Sequence, residues 1–350
     1  MTASVKLLSL ATAAAPHEIH QDKVVELARG IFGPRIPAFE RMVPAFYNAG
    51  VRTRQVAMPI EWYLAPRSWP ERGEAYLTGA LDLFCRAAEA ALAEAGLSGA
   101  DIDTILTVSS TGIATPSLEA LAMARMGFRP DAARAPVFGV GCAGGATGLG
   151  LATRLARSQP GSKVLLVCVE LCSMAFQLDA PSKTDIISTA IFGDGAAACV
   201  LASDTSEGFA TVTGHAEHTW PDTLDIMGWR VDPKGLGVVL ARALPPFVEK
   251  EIKPAMEKML AGQGLRLDDV DRFVCHPGGM KVIEAIESAF GMGQGTLDHE
   301  REVLADHGNM SSPTILFILD RIRRAGLPQR SVITAMGPGF TTSSVTLIAA

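Results

Sequence analysis

Charge is scarce in this 350-residue chain: Asp, Glu, Lys and Arg together supply 19% of the residues, below the usual quarter. With 48% hydrophobic residues, that scarcity excludes a disordered chain and implies a large buried core. A basic excess is also missing. The net charge is −6, which disfavours a general nucleic-acid binder, because such proteins need a basic face. No apolar run reaches the roughly 18 residues of a membrane span. Cysteines number only six, at positions 85, 142, 168, 172, 199 and 275, too few in so long a chain for a disulfide scaffold. Most lie in apolar stretches, where free cysteine acts as a small hydrophobe; this implies a reducing compartment and a cytoplasmic location. The 34 glycines are scattered, so neither a low-complexity nor a collagen reading survives.

What is present reads as α/β. Ile102–Ser109, Lys163–Glu170 and Asp271–His276 are apolar runs bounded by turn signals, as expected of buried strands. Leu81, Phe84, Ala88 and Leu92 recur at helical spacing within Leu77–Glu94. Alternating strands and helices argue for a layered fold. At the N-terminus, Lys6–Ala15 has one Lys, a short apolar run and an Ala-x-Ala, a weak likeness to a signal peptide. We read it instead as a first buried strand with its following loop.

The chain also repeats itself. Gly96–Leu106 realigns on Gly264–Val274 at an offset of 168, and Gly141–Leu151 on Gly308–Ile318 at 167. Lys163–Val167 then falls opposite Arg330–Thr334. Three matches in order, at about half the chain length, predict two similar halves, 1–210 and 211–350, that share one core. Ser203–Gly208 reads as the turn between them.

The offset sets Cys142 opposite Asn309, each after a Gly and before a helical run. Both belong near helix N-termini, where free N–H groups favour a thiolate or an oxyanion. Small neighbours, Gly141, Ala143, Gly144 and Gly145, leave room for a substrate beside the sulfur. His276 ends a strand and is followed by Pro277-Gly278-Gly279, a setting that presents a general base or a thiolate partner. His307, near Asn309, is the best decoy among the other histidines. Cys168, Cys172, Cys275 and His276 offer a nominal metal set, but the spacing is unspecific and no metal is expected. Gly193-Asp194-Gly195 and Gly337-Pro338-Gly339 lack the context of phosphate loops and read as tight turns.

A Cys, a His and an Asn in this order on a duplicated α/β chain resemble the condensing enzymes of the thiolase fold. Within them the sequence resembles the type III polyketide synthases, the chalcone synthase-like family, over essentially its whole length. The resemblance rests on Gly141-Cys142-Ala-Gly-Gly, on Ala190–Ala198 with Phe192, on His276-Pro-Gly-Gly, on Gly308-Asn309-Met-Ser-Ser and on Gly337-Pro-Gly. It implies a thiolase-like layered fold of two pseudo-two-fold halves. Cys142 would be nucleophile and acyl anchor, with His276 and Asn309 stabilising thioester oxyanions and the enolate from malonyl decarboxylation. Phe192 would stand between a coenzyme A tunnel and the cavity. The substrates would be malonyl-CoA and an acyl-CoA starter, with no bound cofactor, in a homodimer.

Several positions depart from the chalcone synthase pattern. A second gatekeeper phenylalanine falls on Val238, two cavity threonines on Cys172 and Ala175, and a methionine that reaches across the dimer on Thr115. Ser110, Thr111 and Ser311 remain small, polar cavity positions. Arg41 matches one coenzyme A-binding residue, while two lysine positions read Ala38 and Ala45; Arg35, Arg52 and Arg54 are candidates to compensate. The smaller residues at Cys172, Ala175, Val238 and Thr115 imply space for a medium- or long-chain acyl starter and an alkylpyrone or alkylresorcinol-type product. The alternatives are a ketoacyl-ACP synthase III-like initiator, condensing once, and an inactive binding subunit.

Overall fold

The computed structural model describes residues 4–178, 183–233 and 235–350. Among them are thirteen strands: β1 Val5–Ala14, β2 His17–His20, β3 Thr53–Val56, β4 Thr104–Val108, β5 Ala133–Val137, β6 Lys163–Leu171, β7 Asp194–Ser203, β8 Ala210–Thr219, β9 Met227–Asp232, β10 Gly235–Leu240, β11 Arg272–Cys275, β12 Arg330–Gly337 and β13 Thr341–Ala349. The α-helices are α1 Gln21–Phe32, α2 Val43–Tyr47, α3 Ile60–Tyr63, α4 Trp69–Glu94, α5 Leu118–Met126, α6 Gly144–Ser158, α7 Lys183–Ile191, α8 Leu244–Ala261, α9 Met280–Phe290, α10 Asp298–His307 and α11 Thr314–Gly326.

Nine strands form one sheet in the order β11-β12-β13-β8-β1-β7-β6-β4-β5. The sequence repeat is visible in that order. Outward from the central antiparallel β1·β8 pair, β1, β7, β6 and β4 on one side mirror β8, β13, β12 and β11 on the other. The helices follow suit. α4 covers β1, β7 and β6, α8 covers β8 and β13, and α6 with α11 fills the layer that touches both halves.

The strands are apolar without alternation because both their faces are buried. In β6, Leu165, Val167 and Val169 join the outer core that includes α4, while Val164, Leu166 and Cys168 join the inner core that includes α6 and α11. β1 behaves likewise, with one irregularity. Its register slips between Leu7 and Ser9, so Val5, Leu7 and Leu10 face inward while Ala11 and Ala13 face outward, the parity change that a bulge produces. The N-terminal run is thus a central strand, as the sequence implied.

Two expectations need correction. The helix expected from Leu77 starts at Trp69, capped by a reciprocal Ser68/Glu71 box with Pro70 in its first turn. Gly193-Asp194-Gly195 is not a turn. Asp194 opens β7 and is fully buried, accepting hydrogen bonds from the backbone N–H groups of Ala57 and Ser173, each at 2.8 Å. Gly337-Pro338-Gly339 does turn the chain, between β12 and β13.

Candidate active site

Cys142 sits in a 3₁₀ turn, Gly141–Ala143, that runs directly into α6. Gly141 has φ +48°, and a Cβ there would lie 2.7 Å from Cδ of Pro338. Glycine is therefore required on both counts. The Ser110 hydroxyl accepts from the N–H groups of Gly139 and Gly141, so this residue props the turn that carries Cys142.

Asn309 precedes α11 on the other half. Its backbone is clamped between Ile191 and Gly193: the Asn309 N–H donates to the Ile191 carbonyl and the Gly193 N–H to the Asn309 carbonyl. Phe192 lies between these two anchors, bridged to Asn309. The Asn309 Oδ1 accepts from the Ser311 N–H at 2.7 Å and faces Cys142 Sγ at 4.0 Å. That fixes the amide so that Nδ2 is the donor end, with one proton directed toward the Gly278 carbonyl at 3.4 Å and a second free for another acceptor. Ser311 holds φ +60° beside the thiol.

His276 follows β11, its N–H bonded to the Thr334 carbonyl. The side chain is 2% exposed, yet neither ring nitrogen has a partner. Burial lowers its pKa to about 3, so the imidazole is neutral. Such an unsatisfied pair is costly in a resting fold. Cys142 is also held neutral, its pKa raised to about 11, chiefly by burial and secondarily by the nearby Glu170.

Cys142, Asn309, Ser311, Phe192 and Val238 line one chamber of about 50 Å³, together with Cys172. Its remaining walls include Gly278 and Pro338, from the two Gly-Pro segments noted in the sequence. Ala175 lies outside this chamber, in the wall of a neighbouring cavity. Thr111 turns its hydroxyl to Glu170. Thr115 is exposed and lines neither space, so within one chain it is not a cavity residue. Cys168 and Cys275 belong to different cores, and among the described residues no three ligand-type side chains gather for a metal.

The arginines divide sharply. Arg54 is 3% exposed, and its guanidinium donates to the carbonyls of Thr189, Ala190 and Phe192 and to Gln21 Oε1. It caps the C-terminal end of α7, where a cation complements the free carbonyls. A coenzyme A role for Arg54 does not fit: its two terminal nitrogens are committed to α7 and Gln21, and at 3% exposure it does not reach solvent. Arg52 pairs with Asp306 on the surface, Arg35 donates to the Leu178 carbonyl, and Arg41 is exposed. Thr53 and Gln55 both donate to the Asp306 carbonyl, and Gln55 Oε1 meets His307 Nδ1 at 2.7 Å. β3 thereby ties down both the Phe192 segment and the end of α10 before Asn309. His307 is a structural histidine in this strut.

One site residue escaped the sequence reading. Glu170 is fully buried and accepts from the Ser110 N–H, the Thr111 hydroxyl and the Ser312 hydroxyl. It joins the strand end, the nucleophile's support and the start of α11. Burial raises its pKa to about 7. The available signal was a lone carboxylate closing the apolar run Lys163–Glu170, a placement that is expensive unless hydrogen-bonded.

The duplicated layers and the site where two helix starts meet define a thiolase-like protein. The chalcone and stilbene synthase family models match the chain, the N-terminal domain over residues 64–205 and the C-terminal domain over 212–349. A 1,3,6,8-tetrahydroxynaphthalene synthase of Streptomyces peucetius subsp. caesius is 38% identical over 345 residues, covering 96% of this chain and 91% of that one. An alpha-pyrone synthesis polyketide synthase-like protein of Mycobacterium tuberculosis is 29% identical, covering 86% and 80%. The crystal structure of the tetrahydroxynaphthalene synthase of Streptomyces coelicolor A3(2), a bacterial type III polyketide synthase, superposes with a TM-score of 0.93 at 26% identity, covering 98% and 99%. This chain belongs to the chalcone and stilbene synthase family, the type III polyketide synthases.

Proposed function

We propose that the chain condenses malonyl units, delivered by malonyl-CoA, onto an acyl-CoA starter held on Cys142, and that the product cyclises to a pyrone or resorcinol type. The observation that carries this reading is the meeting of Cys142 Sγ and Asn309 in one chamber at 4.0 Å. The Cys142 sulfur attacks the starter's thioester carbonyl, its proton leaves with coenzyme A as the free thiol, and an acyl-enzyme remains. Malonyl-CoA then loses carbon dioxide, and its electrons pass into an enolate. That enolate attacks the acyl-enzyme carbonyl, forming a carbon–carbon bond and returning the sulfur.

The roles follow from hydrogen-bonding capacity. Asn309 Nδ2 in the chamber wall would donate an N–H to the oxygen on which charge develops, and the neutral ring of His276, two residues before Gly278 of that wall, would supply a second. Burial favours the neutral form of both the thiol and the imidazole. Arg41, Arg35 and Arg52 remain the candidates for the coenzyme's phosphates, being exposed. No bound cofactor enters this scheme. The six free, buried cysteines suit a reducing compartment such as the cytoplasm.

A homodimer is part of the proposal. Ile113 and Phe138 are 62% and 56% exposed at a groove that also holds Glu119, whose buried carboxylate oxygens have no partner. A second copy would cover the apolar pair and supply the donor; light scattering should report twice the 36.9 kDa chain mass.

Product mass spectrometry with malonyl-CoA and a panel of starters tests the whole reading. Products that contain the starter plus several two-carbon units are expected. A product made of malonyl units alone supports the second reading, a naphthalene-type product like that for which the 38% identical relative is named. Short exposure to iodoacetamide should label Cys142 first and end turnover. Labelling of Cys172 or Cys275 with activity retained would overturn the nucleophile assignment.

A further inference from the structure

Behind the chamber wall, Asp194 joins segments that reach the site from different parts of the chain. It is fully buried, and burial raises its pKa to about 6, so at neutral pH it is ionised and only accepts hydrogen bonds. Its Oδ1 accepts from the Ser173 N–H at 2.8 Å, and its Oδ2 from the Ala57 N–H at 2.8 Å and from the Ser173 hydroxyl. With its one proton given to Asp194, that hydroxyl accepts in turn from the Tyr63 hydroxyl at 2.7 Å. Ser173 lies in the 3₁₀ turn Cys172–Ala175, next to Cys172 in the chamber wall. On its other side Asp194 follows Gly193, whose N–H bonds to the Asn309 carbonyl. That junction is tight: a Cβ on Gly193 would lie 2.2 Å from the His307 carbonyl oxygen.

We infer that Asp194 is a positioning residue for the condensation step, holding the Cys172 turn, through Ser173, in register with the segment that clamps Asn309. The inference rests on the condensation reading above and adds the residue that aligns its two reactants. Decarboxylation needs the donors alone, and Asn309 keeps its own anchors at Ile191 and Ser311. Carbon–carbon bond formation needs more, because the enolate carbon must lie about 3–3.5 Å from the acyl carbonyl on Cys142. Cys172 and Asn309 are both walls of the chamber in which these carbons meet, so a shift of one wall against the other changes that distance. A misplacement of about 1 Å costs about 10²-fold in rate. An enolate that is not captured takes a proton and leaves as acetyl-CoA. Loss of the Asp194 tie should therefore divert malonyl units from product to acetyl-CoA.

The test compares carbon dioxide released from malonyl-CoA with malonyl carbon recovered in product, at saturating acyl-CoA starter. This ratio is independent of how much enzyme is folded, so destabilisation alone leaves it unchanged. Asp194→Asn keeps the size of the side chain and loses an acceptor: whichever way the amide turns, its NH₂ group faces the N–H of Ser173 or of Ala57. Product formed per carbon dioxide should fall by about tenfold or more.

Ser173→Ala provides a milder arm that decides the matter where Asp194→Asn does not fold. It removes one hydrogen bond and should lower the ratio by about two- to tenfold. Ser173→Thr keeps the hydroxyl, its added methyl has room in the neighbouring cavity that Ser173 lines, and it should restore the wild-type ratio. Folded Asp194 and Ser173 variants that all keep that ratio overturn the inference while leaving the condensation reading intact. A wild-type enzyme that releases carbon dioxide but forms no carbon–carbon bond overturns that reading and this inference with it.

Discussion

The starts of α6 and α11 occupy equivalent places in the two halves and do different work. Each is preceded by a glycine with positive φ, Gly141 at +48° and Gly308 at +67°, and each presents its functional residue immediately afterwards. On α6 that residue is Cys142, followed by side chains that scarcely exist. On α11 it is Asn309, followed by Ser311 and Ser312, which carry hydrogen bonds. The contrast is steric as much as chemical. Gly145 and Ser312 are related by the offset of 167 and meet across the pseudo-dyad: a Cβ on Gly145 would lie 2.3 Å from Cγ2 of Ile315 and 2.5 Å from the Ser312 carbonyl oxygen. One partner must be bare so that the other can bear polar groups. Duplication thus supplied two helix ends, and close packing gave the thiol to one and the amide to the other.

The largest effect should come from breaking that division of labour. Cys142→Ala should end acyl transfer and condensation yet still release carbon dioxide from malonyl-CoA, because Asn309 and His276 remain. Adding Asn309→Ala should slow this release by about 10²–10³-fold. A double variant that decarboxylates as fast as the single one would show that the α11 side is not the donor side. Next comes the packing itself. Gly145→Val should cost stability toward the upper end of about 1–3 kcal/mol, since backbone and a core isoleucine must move; urea unfolding reads this as a lower midpoint with an unchanged slope.

A smaller loss is expected at the strut behind both helix starts. Arg54→Ala strips the cap from α7 and should lower stability by about 2 kcal/mol. Arg41→Ala, on the surface, should instead raise KM for malonyl-CoA and leave the urea midpoint in place. The reverse pattern would return Arg54 to the coenzyme site.

The last effect concerns Glu170, which links the two sides. Its folded pKa of about 7 lies above the ordinary carboxylate value of 4.5. Below about pH 4.5 both folded and unfolded chains are protonated and the contribution is fully present. As pH rises to about 7 the unfolded chain ionises first, so stability is lost, by no more than about 1.4 kcal/mol per pH unit for one carboxyl. Glu170→Gln should flatten the wild-type curve in that window. His276 acts oppositely, its lowered pKa costing stability as pH falls from 6.5 toward about 3, but it is common to both proteins and cancels in the comparison. An identical slope in the two would mean that Glu170 is already ionised in the folded state.

Much of this site was legible in sequence because chemistry and repetition coincide there. Cys142 and Asn309 share one offset, and His276 ends a strand in Pro-Gly-Gly. Strand runs such as Lys163–Glu170 were equally plain, since burial on both faces leaves only apolar residues. The arginines were not legible. Arg52 lies just before β3 and Arg54 within it, and the first side chain reaches solvent while the second is buried. Nothing in the letters says which. Thr115, set by the resemblance where a residue reaches across a dimer, is exposed in the single chain, and its place depends on where a loop lies against the rest of the molecule.

The sequence by itself determined the duplicated α/β architecture, the family and the reactive residue types, because periodicity, turn chemistry and motif spacing are local properties or simple sums of them. Only the tertiary structure decided which groups face one another. It assigned Arg54 to a helix end, brought Glu170 beneath the nucleophile's support, left His276 without a partner and opened an apolar cavity behind Phe192. These outcomes depend on distances between segments more than 100 residues apart in sequence, such as Arg54 and Phe192 or Glu170 and Ser312. Contacts of that kind are set by the packing of whole layers, in which every side chain's place is fixed by the volumes of its neighbours.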